Sequence, residues 1–299
     1  MNPTIDLSFE VDRVLPTHKM RGRNERHDPG GGGINVARVF VRLGGNARCH
    51  YLSGGATGVA LDGLLDLHQI VRSRVPIAGE TRISASVFER SGEREYRFVT
   101  EGPTVAEDEW QACLESVSQA RCRYFVASGS LPRGVPEDFY ARVANTLNRN
   151  GPRFVLDSSG AGLAGGLAGG GVFLVKPSIG ELRQLTGEAL ESDEAVAGAA
   201  RAIVDRGEAE HVVVTMGREG AMLVNAGGIL RLPAIPVDAV SCVGAGDSFV
   251  AGMVHALAGG SEIADAFRFG IAAGAAATLT PGTDLARAED IAKVAGMVT

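Results

Sequence analysis

Gly244, Ala245 and Gly246 stand directly before Asp247 and an apolar, helix-like stretch at Phe249–Leu257. Small residues let backbone N–H groups converge at a helix N-terminus, where unpaired donors and the helix dipole bind anions. A carboxylate beside such an anion hole can take a proton from a hydroxyl while the amides hold a phosphoryl group. The alternative is a simple helix cap, because Asp is a preferred capping residue and small residues form turns.

A second glycine-rich run, Gly30–Gly33, leads into Asn35. Glycines permit close approach of a ligand, and an amide side chain can both donate to and accept from the hydroxyls of a polyhydroxylated ligand. The alternative is a helix N-terminus preceded by a glycine-rich loop. The run does not fit a dinucleotide fingerprint, because Asn35 stands where the last glycine would be and no strand pattern precedes it. The sequence also lacks the Gly-x-x-x-x-Gly-Lys-Ser/Thr pattern of P-loop enzymes.

Polar residues follow two apolar, strand-like runs. Lys176 and Glu181 come after Phe173–Val175, and Thr215 and Gly217 end another such run. Ligands of α/β sheets bind at the carboxyl ends of the strands. A lysine there can meet phosphates, and a glutamate can hold Mg²⁺ through water. Taken alone, the Lys176 segment also fits an ordinary capped helix start.

Strand and helix patterns alternate from about residue 104 onward. Short apolar runs predict strands at Tyr124–Ala127, Phe154–Leu156, Val172–Val175 and Val212–Thr215. Helical periodicity lies before and between them, at Glu107–Gln119, Glu137–Arg149, Ser178–Leu185 and Glu194–Arg206, and an Ala/Gly-rich helix is expected after them at Ala264–Leu279. Such alternation predicts a parallel sheet covered on both faces by helices.

Two regions depart from this alternation. Leu7–Asp28 is polar and weakly alternating, and Ile83–Glu89 and Glu95–Thr100 form a predicted hairpin. We expect them to pair into a small antiparallel sheet that covers the crevice as a lid, and an uncovered apolar face on it would favour dimerisation. The glycine-rich segment Gly162–Gly171 is expected to be a loose connection or a poor helix.

Composition narrows the function further. The 299 residues carry a net charge of −6 without a basic block, which disfavours nucleic acid as a partner. No apolar run is long enough to span a membrane, and no signal pattern opens the chain. The four cysteines and six histidines are scattered, which fits reduced thiols in the cytoplasm better than disulfides or a metal centre.

Taken together, these segments resemble the ribokinase-like carbohydrate kinase family of the phosphofructokinase B type. Two signatures carry the resemblance, Gly30–Ala37 with Gly44 and Gly54, and the segment 243–253. The resemblance covers essentially the whole chain. It implies an α/β, three-layer ribokinase-like fold with a mostly parallel central sheet and a small antiparallel β lid. It also implies one kinase domain, 1–299, with lid segments at about 7–28 and about 79–101 inserted on the α/β core.

The resemblance assigns roles residue by residue. Asp247 corresponds to the base that deprotonates the sugar hydroxyl for attack on the γ-phosphate of ATP, with the amides of Gly244, Ala245 and Gly246 as the anion hole. The residues that match sugar-hydroxyl contacts are Asp6, Gly31, Gly32, Asn35 and Ser130. Those that match contacts to the phosphate already on the sugar are Lys19 and Arg82, with Arg21 and Arg97 as weaker candidates.

The nucleotide side is assigned in the same way. The residues that match ATP contacts are Lys176, Ser178, Thr215, Gly217, Gly244 and Gly246, and Glu181 matches the residue that orders Mg²⁺. A monovalent cation such as K⁺ is bound in some relatives at positions that correspond to Ser241, Val243, Ala277, Thr280 and Gly282.

The substrate follows from one position in the glycine run. Within the family the match is strongest to ATP-dependent 6-phosphofructokinases of the minor bacterial type, on segments that include 28–38, 52–58 and 128–134. Relatives that act on fructose 1-phosphate or tagatose 6-phosphate usually carry lysine where Gly32 stands. The chain is therefore expected to phosphorylate fructose 6-phosphate at its 1-hydroxyl. A kinase of fructose 1-phosphate or tagatose 6-phosphate is the alternative, and a non-catalytic sugar-phosphate or nucleotide sensor is a remote one.

The chain departs from the family pattern at two places. Ser178 stands where most relatives have Asn near Mg²⁺, which predicts weaker metal or nucleotide affinity. Met1–Asp6 resembles a motif that normally follows the first core strand of the family, so a version extended upstream is expected to be more stable. A homodimer through the lid sheet is the expected assembly, and the cytoplasm is the expected location.

Overall fold

Twelve strands and ten α-helices build the part of the chain that the computed structural model describes, residues 1–148 and 151–297. The strands are β1 (Thr4–Val11), β2 (Arg23–Gly30), β3 (Arg48–Ser53), β4 (Val71–Pro76), β5 (Arg82–Glu89), β6 (Arg94–Phe98), β7 (Tyr124–Ser128), β8 (Arg153–Asp157), β9 (Val172–Val175), β10 (Ala209–Thr215), β11 (Ala221–Asn225) and β12 (Gly228–Leu232). The helices are α1 (Gly32–Arg42), α2 (Gly55–Leu67), α3 (Glu107–Ser118), α4 (Phe139–Asn148), α5 (Gly160–Ala168), α6 (Ile179–Thr186), α7 (Asp193–Asp205), α8 (Ala245–Ala258), α9 (Ile263–Ala277) and α10 (Ala288–Ala295).

A six-stranded sheet in the order β12-β11-β10-β9-β8-β7 forms the centre of the molecule. Strands β7 to β10 are parallel, and β11 and β12 continue the sheet in antiparallel fashion. Residues 154–156 and 172–175 are buried throughout, as a strand covered on both faces requires. The four strands predicted from apolar runs are thereby confirmed.

Helices cover both faces of this sheet and give three layers. Apolar residues of α3 to α7 pack on one face, around side chains such as Trp110 and Phe139. Apolar residues of α1, α8, α9 and α10 pack on the other, around Phe249 and Phe267. The predicted helices are confirmed within a few residues, although Arg149, the expected end of α4, lies outside the described residues. Within the described ranges, no helix is long and apolar enough to cross a membrane.

Close packing explains the small residues of α8 and α9. A Cβ on Gly252 would lie 2.6 Å from the Cβ of Ala273, and one on Gly270 would lie 2.5 Å from Met253 Cγ. The helix axes can therefore approach closely only because these positions lack side chains.

The glycine-rich segment Gly162–Gly171 differs from its prediction as a loose connection or poor helix, because most of it belongs to α5. Its glycines lie against neighbouring elements. A Cβ on Gly166 would lie 2.7 Å from Leu156 Cδ2, and Cβ atoms on Gly165 and Gly169 would overlap the helix and turn around α4. Tertiary packing thus compensates for the low helix propensity of glycine.

Two further sheets flank the core. Strands β3 and β4 form a parallel pair beside α1, α2 and α3. The four strands β2-β1-β5-β6 form a separate sheet, here called the lid sheet. Its outer pairs are antiparallel, as expected, but the central pair β1–β5 is parallel. The lid sheet is therefore mixed, because β1 and β5 are joined by a long crossover through α1, β3, α2 and β4 and not by a hairpin.

Candidate active site

The N-terminus of α8 carries the small-residue run. Gly244 is the N-cap in the left-handed conformation, with φ 69°, and a Cβ there would collide with the side chain of Leu285. Ala245, Gly246 and Asp247 form the first helical turn. The N–H groups of a first turn have no intrahelical acceptor and carry the positive end of the helix dipole. Here the N–H of Ala245 donates to the carbonyl of Cys242 at 3.4 Å, outside the helix.

The surroundings of Asp247 shift the pKa of its carboxyl group. Burial, followed by repulsion from Asp157, raises the pKa of Asp247 to about 7. The Nδ2 of Asn35 donates a hydrogen bond of 2.9 Å to Asp247 Oδ2, and this contact together with Lys176 opposes the rise. A carboxyl with a pKa near neutral pH suits a general base, because it is deprotonated at working pH and still accepts a proton readily.

Lys176 lies at the carboxyl end of β9, beside the first turn of α8. Its Nζ is 3.0 Å from Asp157 Oδ1, and a Cβ on Gly246 would be 3.4 Å from the same Nζ. Burial alone would lower the pKa of Lys176, but the charges of Asp157, Glu181 and Asp247 raise it above its ordinary value. The ammonium is therefore a fixed positive charge at the anion hole, in a place where a phosphate can reach it.

The start of α6 holds Ser178 and Glu181 in a capping box. Ser178 Oγ accepts from the N–H of Glu181 at 3.2 Å, and Glu181 Oε2 accepts from the N–H of Ser178 at 2.7 Å. Ser178 also bridges to Thr215 at the end of β10. Gly217 follows at the first position of a 3₁₀ turn, Gly217–Glu219, with φ 56°. The structure thus places these nucleotide-side candidates at the carboxyl edges of two neighbouring strands.

Three of the five expected sugar contacts line one cavity. Gly31, Gly32 and Ser130 line it together with Arg82. Asn35 reaches Asp247 with its Nδ2, while its buried Oδ1 has no hydrogen-bond partner among the described residues. That oxygen is a free acceptor for a ligand hydroxyl.

Asp6 lies on β1 between Asp28 and Ser84 on the neighbouring strands, and its carboxylate packs against Gly30. Burial raises the pKa of Asp6 to about 6, against the opposing charges of Arg38 and Arg82. A carboxylate so close to a glycine loop can accept hydrogen bonds from sugar hydroxyls above pH 6.

The cationic candidates separate into two groups. Arg82 donates from Nη1 to Thr100 O at 2.8 Å and from Nη2 to Asn2 O at 2.9 Å, and its buried Nε has no partner among the described residues. It is thus positioned in the cavity wall with donors to spare. Lys19 lies in the exposed connection between β1 and β2, and the structure does not bring it into contact with the other candidates.

The two further basic candidates lie on the lid side. Arg97 is on β6, opposite Ser86, and is near enough to influence the charge of Asp6. Arg21, like Lys19, is in the exposed connection that precedes β2.

Asp157 and Ser128 are site residues to which the sequence analysis gave no role. Asp157 pairs with Lys176 and repels Asp247, and Ser128 Oγ donates to Asp157 Oδ2 at 3.3 Å. Ser128 is the last residue of β7 and Asp157 is the last residue of β8, two parallel neighbouring strands. Their position after an apolar run was the available signal, because that edge of the sheet is where ligands bind.

The donor set near Glu181 fits a metal that arrives with a nucleotide. Within residues 1–148 and 151–297, no three acidic, His or Cys side chains are close enough to hold a metal ion. Mg²⁺ commonly binds through one or two carboxylates together with substrate phosphates and water. Glu181 supplies one carboxylate of that kind, and the phosphates and water would supply the remaining ligands.

The two candidate loops for a monovalent cation lie against each other. Val240 and Ser241 donate their N–H groups to Thr278 O at 2.7 and 3.2 Å. Thr280 Oγ1 donates to the carbonyls of Ala277 and Leu285 at 2.9 and 3.2 Å. Val243 and Gly282 lie within the same two loops.

Comparison with known proteins identifies the family of this chain. The family model described as "pfkB family carbohydrate kinase" matches residues 1–290. An "ATP-dependent 6-phosphofructokinase isozyme 2" from Mycobacterium tuberculosis is 43% identical over 293 residues, which cover 97% of this chain and 86% of the relative. A "1-phosphofructokinase" from Borreliella burgdorferi is 30% identical over 281 residues, 93% of this chain and 90% of the relative.

Solved structures of related kinases have the same fold as this chain. Phosphofructokinase-2 from Escherichia coli in complex with potassium superposes with a TM-score of 0.95 at 36% identity, covering 100% of this chain and 97% of that one. The same enzyme in complex with fructose-6-phosphate gives 0.93 at 35% identity, with the same coverage. The resemblance inferred from the two glycine signatures is confirmed, and the chain belongs to the pfkB family of carbohydrate kinases.

Proposed function

We propose that this kinase transfers the γ-phosphoryl group of ATP to the 1-hydroxyl of fructose 6-phosphate and forms fructose 1,6-bisphosphate. The observation that carries the proposal is the placement of Asp247. Its carboxyl lies at the first turn of α8, 2.9 Å from Asn35 and beside the Lys176 ammonium, with a pKa of about 7. A base and an anion hole therefore face the same point.

The residues divide the reaction between them. Asp247 takes the proton of the sugar hydroxyl, the hydroxyl oxygen forms a bond to the γ-phosphorus, and the bond to the β-phosphate oxygen breaks as ADP leaves. The amides of Gly244, Ala245 and Gly246 and the Lys176 ammonium stabilise charge on the transferred group. Mg²⁺ bound with ATP near Glu181 would neutralise further phosphate charge. The lid sheet over the cavity would exclude water.

Two observations support fructose 6-phosphate as the acceptor. The relatives named 6-phosphofructokinase match at higher identity than the one named 1-phosphofructokinase, 43% against 30%. Gly32 also faces Ser128 so closely that a Cβ at position 32 would collide with Ser128 Oγ. The space that a lysine would need in the glycine run is thus filled by the serine that bonds Asp157. The phosphate on the sugar is proposed to meet Arg82, with Lys19 reaching it only if the β1–β2 connection closes.

We further propose that residues 1–299 work as one kinase unit, and that two copies dimerise through the lid sheet. Ile83 and Phe98 lie on the same face of that sheet and are 43% and 59% exposed. Light scattering at micromolar protein tests this assembly. A monomer mass, or a dimer that Phe98→Lys leaves intact, would contradict it.

A K⁺ site between the loops around Ser241 and Thr280 is proposed as well. Comparison of kinase activity in KCl with activity in choline chloride tests it.

The decisive assay measures ADP release from Mg-ATP with four acceptors in parallel: fructose 6-phosphate, fructose 1-phosphate, tagatose 6-phosphate and fructose. We expect the highest kcat/KM with fructose 6-phosphate. A preference for another phosphorylated ketohexose would keep the mechanism and overturn the substrate. Absence of turnover with all four, in folded protein that still binds ATP, would favour a sensor.

A further inference from the structure

The loop that follows β7 is held by two buried hydroxyl groups. The hydroxyl of Tyr140, on α4, donates to the carbonyl oxygen of Gly129 at 2.8 Å, and Ser158 Oγ donates to the same oxygen at 3.0 Å. Tyr140 is 2% exposed and Ser158 is 4% exposed. A carbonyl oxygen has two lone pairs, so two donors on one oxygen fix the direction of this carbonyl.

Gly129 is also fixed at its N–H group, which donates to Asp157 O at 2.9 Å. Its φ of 104° lies in a region that residues with a Cβ rarely adopt. The first turn of α1 lies close to it, because a Cβ on Gly32 would be 3.0 Å from Gly129 N. The loop therefore cannot turn at Gly129 without breaking hydrogen bonds on both sides of this residue.

The direction of this carbonyl determines the direction of the next N–H group. The peptide bond between Gly129 and Ser130 is trans, and in a trans peptide the C=O and the following N–H point in opposite directions. The Ser130 N–H therefore points away from the two buried hydroxyls. Within residues 1–148 and 151–297 it has no hydrogen-bond acceptor. Ser130 is exposed and lines the cavity with Gly31 and Gly32, so its N–H is available to a ligand.

Neighbouring elements hold the two hydroxyl groups in place. The ring of Tyr140 meets Phe139 edge to face with centroids 5.9 Å apart, and a Cβ on Gly166 would be 3.2 Å from Tyr140 Cβ. A Cβ on Gly162 would be 2.9 Å from Ser158 Oγ. Burial raises the pKa of Tyr140 above its ordinary value of 10, so the hydroxyl keeps its proton and can donate it to the carbonyl.

We propose that Tyr140 and Ser158 are positioning residues that direct the Ser130 N–H at a hydroxyl of the bound sugar. Their own protons are engaged on the Gly129 carbonyl, so they act through the loop and not by contact with the sugar. This inference rests on the proposed phosphorylation of a sugar phosphate. A donor that is already oriented binds a ligand more tightly than a mobile one, because the loop loses less freedom on binding.

The two hydroxyl groups are redundant in this role. With one of them removed, the other still holds the Gly129 carbonyl in its direction. With both removed, the carbonyl has no donor in its buried surroundings, and the peptide is expected to turn towards water. Turning the carbonyl also turns the Ser130 N–H, so sugar binding should weaken sharply only in the double variant.

The test compares Tyr140→Phe, Ser158→Ala and the double variant in the full chain. The KM for fructose 6-phosphate should rise by less than about three-fold in each single variant and by about ten-fold or more in the double variant. Both kcat and the KM for Mg-ATP should stay within about two-fold of the parent values. A merely structural role of the hydroxyls would lower Tm and leave the KM for the sugar unchanged.

A matched control removes two hydrogen-bonded hydroxyl groups elsewhere, in the double variant Tyr124→Phe/Ser116→Ala. Tyr124 is the first residue of β7, whereas Gly129 follows the last, and its hydroxyl donates to a carbonyl of α8. Ser116 Oγ is 2.9 Å from His50 Nδ1. This control is expected to lower Tm and to leave the KM for fructose 6-phosphate within about two-fold of the parent value.

Two kinetic results overturn the positioning role. One is a KM for the sugar in Tyr140→Phe/Ser158→Ala within about three-fold of the parent value, and the other is an equal rise in the control. If the parent phosphorylates fructose 6-phosphate, either result leaves the proposed function intact. If the parent does not phosphorylate it, the proposed function fails, and the same comparison is made with the acceptor that the parent prefers.

A second measurement uses the parent chain and does not depend on the folding of the double variant. Amide hydrogen exchange at Ser130, followed by NMR, should slow by about ten-fold or more when fructose 6-phosphate saturates the protein, because the N–H then donates to the sugar. In Tyr140→Phe this protection should remain, because Ser158 still holds the carbonyl. Unchanged exchange at Ser130 in the saturated parent overturns the proposal.

Discussion

Replacing Asn35 by alanine should move the acid limb of the pH–rate profile. In the structure Asn35 Nδ2 donates to Asp247 Oδ2 at 2.9 Å, and this hydrogen bond favours the ionised carboxylate. A hydrogen bond to a charged group contributes about 1.5–3 kcal/mol. One pKa unit corresponds to about 1.4 kcal/mol, so loss of this hydrogen bond should raise the pKa of Asp247 by roughly one to two units. Water entering the vacated space recovers part of this, so we expect a shift of about one unit.

The sign follows from the role of the base. Asp247 must be deprotonated to accept a proton, so the rate falls as pH decreases through its pKa of about 7. In Asn35→Ala that pKa rises, and the acid limb should move to about 8. The profile of kcat/KM for fructose 6-phosphate, measured by coupled ADP release from about pH 6 to about 9.5, reports the free enzyme and is therefore the appropriate measurement.

Ser130→Ala is the matched control. Ser130 is another expected sugar contact, lines the cavity with Gly31 and Gly32, and makes no hydrogen bond to Asp247 in the structure. This variant should therefore raise KM and leave the acid limb in place. Ionisation of the substrate phosphate is the same for every variant and cancels in the comparison. An acid limb within about 0.3 units of the parent in Asn35→Ala would refute the reasoning. So would an equal shift in Ser130→Ala.

Three further substitutions test the electrostatics of the site. Asp247→Asn should lower kcat by about 10²-fold or more, and it should raise Tm at pH 8. The folded pKa of about 7 exceeds the ordinary value of 3.8, so the carboxyl progressively destabilises the fold as pH rises between these values, and the gain should vanish near pH 4. Lys176→Met leaves Asp157 buried without its partner and should cost about 3–5 kcal/mol in urea unfolding. Ser178→Asn keeps an equivalent N-cap, so the free energy of unfolding should change by less than about 0.5 kcal/mol, while KM for Mg-ATP should fall.

Each of these has a distinct contradicting outcome. A Tm gain in Asp247→Asn that is the same at pH 4 and pH 8 would remove charge burial as its cause. For Lys176→Met, adding Asp157→Asn should restore part of the lost stability, and failure to do so would show that the ion pair is not what was lost. An unchanged KM for Mg-ATP in Ser178→Asn would mean that reach at this position does not limit nucleotide binding.

The sequence by itself predicted the local elements that carry the candidate site residues. The small-residue run before Asp247 predicted a turn that enters a helix, and the apolar run before Lys176 predicted a buried strand. The alternation of strand-like runs with helix-like stretches predicted parallel strands, whose carboxyl ends lie at one edge of the sheet. Local residue type and periodicity are sufficient for these inferences, because they depend on neighbours within one or two turns.

Contacts between distant segments were decided only by the tertiary structure. Asn35 and Asp247 are 212 positions apart, and Asp157 reaches both Lys176 and Asp247 from a different strand. The helix α5 forms from a segment with poor intrinsic propensity because its glycines fit against α4 and β8. The parallel pairing of β1 with β5 depends on the long crossover between them, which brings two distant segments side by side. Burial and through-space charge set these features, and neither is encoded within any single stretch of sequence.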